Sequence, residues 1–287
     1  MNTYCLFNGE LRKTSEPVLM VNDLGLLRGY GVFDFFPIRQ SIPLYFEDYW
    51  NRFQNSAGQM RLPFEWELGS FSEQLEDLIQ QNQVEDGYCR LLLTGGYSSN
   101  GFYPDHSPNF IVTTQGAIHY PPSSFDKGIK LLSIEYTREY PTIKSINYTT
   151  VLLARDRLRE EEAEDVLYYS HESVTESSRS NFFIIDRNGV LKTPGRDILA
   201  GITRSKVLEV AKEIMDVEIA DIPLDEVRNA QSAFITSTTK GIMPVTHIDS
   251  FAINDGVIDP AVGKLQQLLL TKEKQYIRDK TNVHSKP

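Results

Sequence analysis

Polar and apolar positions change their spacing several times along this chain, and each change marks an element. Residues 4–8 and 11–13 alternate across a Gly9 turn, and 31–38 and 42–46 do so around Gln40-Ser41, as half-buried strands do. Since side chains alternate along a strand, Phe33 and Phe35 should share one face and Phe36 should lie on the other. Residues 47–60 place Trp50, Phe53, Ala57 and Met60 at steps of three and four, which predicts a helix. A second helix is expected over 70–83, and strands return at 88–94 and 109–114.

Residues 115–127, with Pro121-Pro122-Ser123-Ser124, follow neither period and read as a linker. They divide the chain into domains over 1–118 and 119–287. Beyond the linker the pattern predicts a strand at 129–136, a helix at 149–163 capped by Thr149 or Thr150, and a strand at 166–170. Strands at 182–185 and 190–192 flank Asp186-Arg187-Asn188-Gly189, a hairpin turn by its Asn-Gly. A helix at 203–215, strands at 217–222 and 233–237 and a helix at 260–270 complete the pattern. The polar residues from about Lys272 should fray. The whole reads as two α+β domains with mixed sheets.

Composition narrows the function. A net charge of −10 opposes nucleic-acid binding, because phosphate backbones demand clustered cations. No apolar run approaches the roughly 20 residues that span a bilayer, and the N-terminal residues lack a signal pattern, so no membrane association and a cytoplasmic location are expected. Cys5 and Cys89 lack metal-ligand spacing and read as inert buried thiols, so no metal is expected.

Lys144 and Glu176 carry the chemistry. Lys144, after the helix breaker Pro141, should project from a strand end or loop. A lysine amine can form a Schiff base with an aldehyde, and a carboxylate can hold a pyridine nitrogen protonated. Glu176 opens Glu-Ser-Ser-Arg-Ser-Asn-Phe-Phe, whose Asn and Ser side chains could orient a carboxylate. Downstream, Leu199-Ala200-Gly201-Ile202-Thr203-Arg204 opens a helix with a glycine and a hydroxyl, which suits an anion. Thr236-Ser237-Thr238-Thr239 is a second hydroxyl cluster. Arg52 could fork onto a phosphate or pair with Asp48 one turn away, and Arg90, in an apolar strand, needs solvent or an anion such as a substrate carboxylate.

In this order the residues resemble the class IV aminotransferases, pyridoxal-phosphate enzymes of fold type IV. That family includes branched-chain aminotransferase, D-amino-acid transaminase and aminodeoxychorismate lyase. The resemblance runs from Phe7-Asn8-Gly9-Glu10 and Gly29-Tyr30-Gly31-Val32-Phe33-Asp34 through Asn51-Arg52-Phe53 and Lys144-Ser145-Ile146-Asn147-Tyr148. It continues through Thr175-Glu176, Asn181-Phe182-Phe183 and Gly201-Ile202-Thr203-Arg204 to Met243-Pro244-Val245.

The resemblance implies pyridoxal 5′-phosphate as cofactor, with Lys144 as the Schiff-base lysine and Glu176 as partner of the ring nitrogen. Arg52, Ile202, Thr203 and Thr238 would anchor the phosphate, and Tyr148 would approach the phenolic oxygen. Phe33, Phe35, Arg90 and Thr239 become candidates for the substrate side. A smaller N-terminal α/β domain, a larger C-terminal mixed-sheet domain that binds the cofactor, and a homodimer complete the picture.

The sequence departs from the family pattern at three places. Residues 193–199 span about one residue fewer than usual, Asp34 replaces a Glu, and Phe35-Phe36-Pro37 replaces small or hydroxyl-bearing residues. The lyases use a threonine hydroxyl there, so the change favours transamination. Ser98-Ser99-Asn100-Gly101-Phe102 lacks the Arg and His of the D-amino-acid enzymes, which leans toward an apolar L-amino acid and a 2-oxo acid. The lyase, and a cofactor-free binding protein on the same fold, remain the alternatives.

Overall fold

The computed structural model describes residues 2–284. Their internal contacts gather them into two units. The first takes the residues up to Ile118, then Ile143–Asn147, then those from Glu273; the second comprises His119–Thr142 and Tyr148–Lys272.

The first unit is built from β1 (Tyr4–Phe7), β2 (Glu10–Lys13), α1 (Leu24–Arg28), β3 (Gly31–Arg39), β4 (Ile42–Pro43), α2 (Phe46–Gln59), α3 (Leu68–Gln81), β5 (Gly87–Thr94) and β6 (Asn109–Gly116). Its sheet runs β2-β1-β6-β5-β3-β4. One face is sealed: Val32, Phe36 and Ile38 of β3, with Cys89 and Leu91 of β5, are buried with Trp50 and Phe53 of α2 and Phe71 of α3. This is the side on which Phe36 packs against Phe46 and Tyr49. Phe33 and Phe35 stand on the opposite, half-buried face. Cys5 and Cys89 are free and buried, and burial pushes both thiols up, as inert thiols require.

The second unit holds α4 (Pro122–Asp126), β7 (Ile129–Glu135), α5 (Thr149–Leu153), α6 (Arg155–Glu160), β8 (Asp165–Ser170), β9 (Ser173–Ser177), β10 (Asn181–Ile185), β11 (Leu191–Thr193), α7 (Ile202–Ala211), β12 (Val217–Ile219), β13 (Ile222–Pro223), α8 (Leu224–Arg228), β14 (Ser232–Ser237), β15 (Gly241–Ile248) and β16 (Phe251–Ala252). Strands β10-β14-β15-β7-β8-β9 are hydrogen-bonded in that order. The ring closes where β9 meets β10, at the pair Asn181↔Glu176. Phe182 and Ile184 of β10 join one apolar cluster with Ile129, Leu167, Ile235 and Val245. Phe183 and Ile185, pointing the other way, join a second with Val207 and Val210 of α7. Burial on both faces explains why β10 reads as a continuous apolar run.

Several elements differ from the sequence pattern, among them α1, α4 within the expected linker, β9 and α8, which the pattern did not predict. The helix expected over 149–163 is two short ones, α5 and α6, and neither buries a residue. Without an apolar stripe, a single longer helix has nothing to pack against; its N-cap is Tyr148, not a threonine. Strand β15 was hidden by Pro244, which is tolerated because the parallel neighbour β7 joins only from Val245 onward.

The last helix, α9 (Pro260–His284), continues far past Leu270 where fraying was expected. Ile277 is buried, and the Tyr276 hydroxyl donates to Glu47 at 2.9 Å, so a polar stretch with a few anchors holds its turns. The second domain is not continuous over 119–287 either. The Ile143–Asn147 segment returns to β3, where Ser145 bridges Val32 and the Phe33 N–H donates to the Lys144 carbonyl at 2.9 Å. No described helix is long and apolar enough to cross a membrane.

Candidate active site

In the first unit, Lys144 is held by its backbone. Its N–H donates to the Ser56 hydroxyl at 3.2 Å, and its carbonyl accepts from Phe33. That leaves the side chain to be placed by its own contacts, and Nζ lies 4.6 Å from the centre of the Phe33 ring. The Arg90 guanidinium lies 5.6 Å from the same ring and 5.1 Å from that of Phe35. Phe35 stacks on Tyr88 at 5.0 Å, and Arg39 lies 5.2 Å from Tyr88. One sheet face thus interleaves cations with aromatic rings, with Arg90 exposed to solvent above the rings of Phe33 and Phe35.

On the sealed face, the structure brings Asp34 to Arg52. The carboxylate, fully buried, accepts from Nε at 2.9 Å and Nη2 at 2.6 Å. A buried acid on a core-facing strand position requires such a partner, and the fork fixes the plane of the guanidinium.

In the second unit, the closing pair of the ring carries Glu176. Glu176 is buried, only 5% exposed as a residue. Its Oε1 accepts from Arg138 Nε at 2.7 Å, and its Oε2 from the Leu199 N–H at 2.9 Å. The orientation expected from the neighbouring Asn and Ser side chains is therefore supplied by other groups. Asn181 donates to the Leu199 carbonyl at 2.8 Å, and Ser178 to Asp165 at 2.5 Å. The Leu199 peptide is clamped on both sides, by Glu176 and by Asn181.

The register places Glu176, Asn181 and Thr236 side by side on three neighbouring strands, on the face covered by α7. The helix opens at Gly201 without a side-chain cap. The first-turn amides of Ile202 and Thr203 therefore face outward with the Thr203 hydroxyl beside them. Thr236 Oγ1, buried in the same row, has no protein partner. An uncapped helix start with an orphaned buried hydroxyl beside it fits a phosphate group.

A Cβ at Gly201 would fall 2.1 Å from Asn181 Oδ1, so this glycine is required by space, since its φ of −69° is ordinary. Gly201→Ala should cost on the order of 1–3 kcal/mol by overpacking and weaken phosphate-bearing ligands at least tenfold. Thermal unfolding and a ligand titration check both; an unchanged affinity would remove the start of α7 as the phosphate seat.

The hydroxyl cluster ends in a buried ion pair. Lys240 Nζ lies 3.3 Å from Asp165 Oδ2, both nearly inaccessible, and the Ser237 hydroxyl accepts from the Lys240 N–H at 3.2 Å. Thr239 shares a hydrogen bond of 3.0 Å with Tyr120. These three contacts pin the turn that carries Thr238. Sequence reasoning missed Arg138, Tyr120 and Lys240, whose partners are distant along the chain. Tyr148 stands half-buried just before α5. No group of three or more His, Cys, Asp or Glu side chains that could hold a metal occurs among the described residues.

Residues 31–248 match the family described as amino-transferase class IV. The chain is 32% identical over 270 residues to D-alanine aminotransferase of Listeria monocytogenes, covering 91% of this chain and 93% of the relative. A solved structure of branched-chain amino acid aminotransferase from Escherichia coli superposes with a TM-score of 0.84 at 23% identity, covering 93% of this chain and 92% of that one. A hypothetical aminotransferase from Mycobacterium tuberculosis in its PLP-bound form gives 0.80 at 21%, covering 93% and 97%. These two structures share the fold.

Proposed function

The chain belongs to the class IV aminotransferase family, and from that premise we propose that it moves an amino group between an apolar L-amino acid and a 2-oxo acid, as a homodimer. Pyridoxal 5′-phosphate, the cofactor of this family, supplies an aldehyde carbon and an electron-accepting ring when bound. The residues described above fit it. Ile202, Thr203 and Thr238, with Arg52, would hold the phosphate, Glu176 the ring nitrogen and Tyr148 the phenolic oxygen. Lys144, once its amine is free, carries the proton to and from the donor α-carbon. Glu176, with both oxygens held, keeps a negative charge fixed at one place, where it favours a protonated nitrogen.

The observation that carries the substrate reading is the Arg90 guanidinium between Phe33 and Phe35, with Lys144 Nζ against Phe33. It combines an anion receptor, an apolar wall and an amine on one sheet face. Arg90→Leu should raise KM for amino acids about tenfold or more, as expected for a lost charge-assisted hydrogen bond, while simple amines are spared. Steady-state kinetics with valine and with an amine lacking the carboxylate measure this. An equal change for both would remove Arg90 from carboxylate recognition.

The L preference is supported by Ser98-Ser99-Asn100-Gly101-Phe102, which offers neither Arg nor His. The likeness to a D-alanine aminotransferase favours the opposite hand as a second reading. Assaying both enantiomers of alanine, valine and leucine with a common 2-oxo acid decides between them, and turnover of the D-forms alone would overturn the first. Lyase chemistry is opposed by Phe35, since Phe36 lies in the core and no hydroxyl stands at either position. Pyruvate release from aminodeoxychorismate without any amino transfer would reverse that.

The homodimer is supported by apolar side chains that a partner would cover. Leu26, Leu27, Phe102 and Tyr103 are exposed in the first unit, and Leu152 and Leu153 in the second. Light scattering that gives a monomer mass would overturn it. A cytoplasmic setting belongs to the same reading and is supported by two free, buried cysteines.

A further inference from the structure

Arg138 takes no part in the function proposed so far, yet it forms an ion pair with the carboxylate on which that function turns. Its Nε donates to Glu176 Oε1 at 2.7 Å, and the two side chains are 13% and 6% exposed. Its Nη2 also donates to the Pro141 carbonyl, so the guanidinium is fixed at two separate points. The second oxygen of Glu176 is held independently by the Leu199 N–H. Geometry is therefore doubly determined, while Arg138 brings a full positive charge onto this carboxylate.

We propose that Arg138 is a positioning residue that keeps the Glu176 carboxylate ionised, so that a proton shared between Glu176 and the cofactor ring nitrogen rests on the nitrogen. The inference depends on Glu176 being the partner of that nitrogen. A buried carboxylate without a cation prefers to be neutral, and it would then retain the shared proton itself. A guanidinium at hydrogen-bond distance acts more strongly on the carboxylate than on a ring one group further away, since Coulomb energy falls with distance. The shared proton consequently moves toward the ring, and the electron-accepting power of the cofactor increases. No atoms are gained or lost; only the position of one proton changes.

Charge and geometry can be separated with two substitutions. Arg138→Gln retains donors for Glu176 and Pro141 but no charge, and Arg138→Lys retains the charge with a different shape. Each holoenzyme is loaded with cofactor labelled with nitrogen-15 in the ring, and the nitrogen chemical shift is followed against pH. The parent and the Lys variant should show a protonated ring, and the Gln variant a signal displaced toward the neutral form. At saturating cofactor the Gln variant should lose about tenfold in kcat, equivalent to one unit of differential protonation, and the Lys variant less than about threefold.

Equal nitrogen signals in the two variants, whether parental or displaced, would overturn the role given to the charge. Glu176→Gln serves as the reference. If it leaves the nitrogen signal unchanged, the assignment of Glu176 itself fails. If it displaces the signal while Arg138→Gln does not, only the inference about Arg138 fails. Should Arg138→Gln not fold, Arg138→Met with the same label gives the uncharged arm; failure of both to fold while Lys folds with a parental signal would make the arginine structural and end the proposal.

Discussion

Lys144→Ala is expected to abolish amino transfer and leave the protein folded. The bonds that shape this segment are made by the backbone: the Lys144 N–H to Ser56, its carbonyl from Phe33, and the Ile146 N–H to the Gly31 carbonyl at 3.2 Å. Alanine retains all of them. What disappears is the amine beside Phe33, and with it, on the function proposed here, both the covalent hold on an aldehyde and the proton carrier. Loss of general acid–base assistance alone costs about 10²–10⁴-fold, so turnover should fall at least that far while the unfolding temperature moves little. In the parent, borohydride should fix the cofactor to one lysine, and peptide mass spectrometry should find it on Lys144. An adduct on another lysine, or parental turnover by the variant, would sink the assignment.

The second large effect is expected at Arg52 and Asp34. Viewed from the sequence alone, Arg52→Ala should cost only phosphate affinity. The ion pair changes that expectation, because Asp34 is fully buried and its partner only 10% exposed. Removing one member of such a pair leaves an uncompensated charge and costs about 3–5 kcal/mol. Arg52→Ala and Asp34→Ala should thus both lower stability by amounts of that order, and both should weaken cofactor binding. A double replacement by Met and Leu removes the unpaired charge and should recover much of the stability without recovering cofactor affinity. Chemical denaturation and a cofactor titration on the three variants give the two quantities separately. Recovery of affinity together with stability would make Arg52 a structural residue and no phosphate anchor.

The two sites differ in how far the sequence could reveal them. The faces of β3 were readable because alternation assigns Phe33 and Phe35 to one side and Asp34 and Phe36 to the other, whatever the fold. The start of α7 was readable because Gly-Ile-Thr-Arg before an apolar period is a local signal. Arg138 was not, since its partner Glu176 lies across a sheet, and an arginine in Tyr-Thr-Arg-Glu-Tyr looks like any loop cation. For Arg52 the local pattern offered Asp48 one turn away, whereas the decisive acid came from another strand because a buried carboxylate has to be neutralised where it lies. The long α9 was missed for a related reason: two anchoring side chains, Tyr276 and Ile277, are too few to set up a period.

The ring of strands in the second unit is secured unevenly. Strands β10 and β14 are paired from Asn181 to Ile185, whereas β9 and β10 meet at the Glu176–Asn181 pair alone. Beyond it the chain turns back at once, the Ser177 N–H donating to the Ser180 carbonyl at 2.8 Å. A seam held by so few bonds opens more often than the strands around it, and its amides should exchange with deuterium early. Any ligand that engages Glu176 together with the start of α7 fastens that seam, because Leu199 is already bonded to both of the seam's residues. Cofactor loading would then register as slowed exchange at 176–181, and the Glu176 carboxylate would double as the latch by which the barrel senses that it is charged.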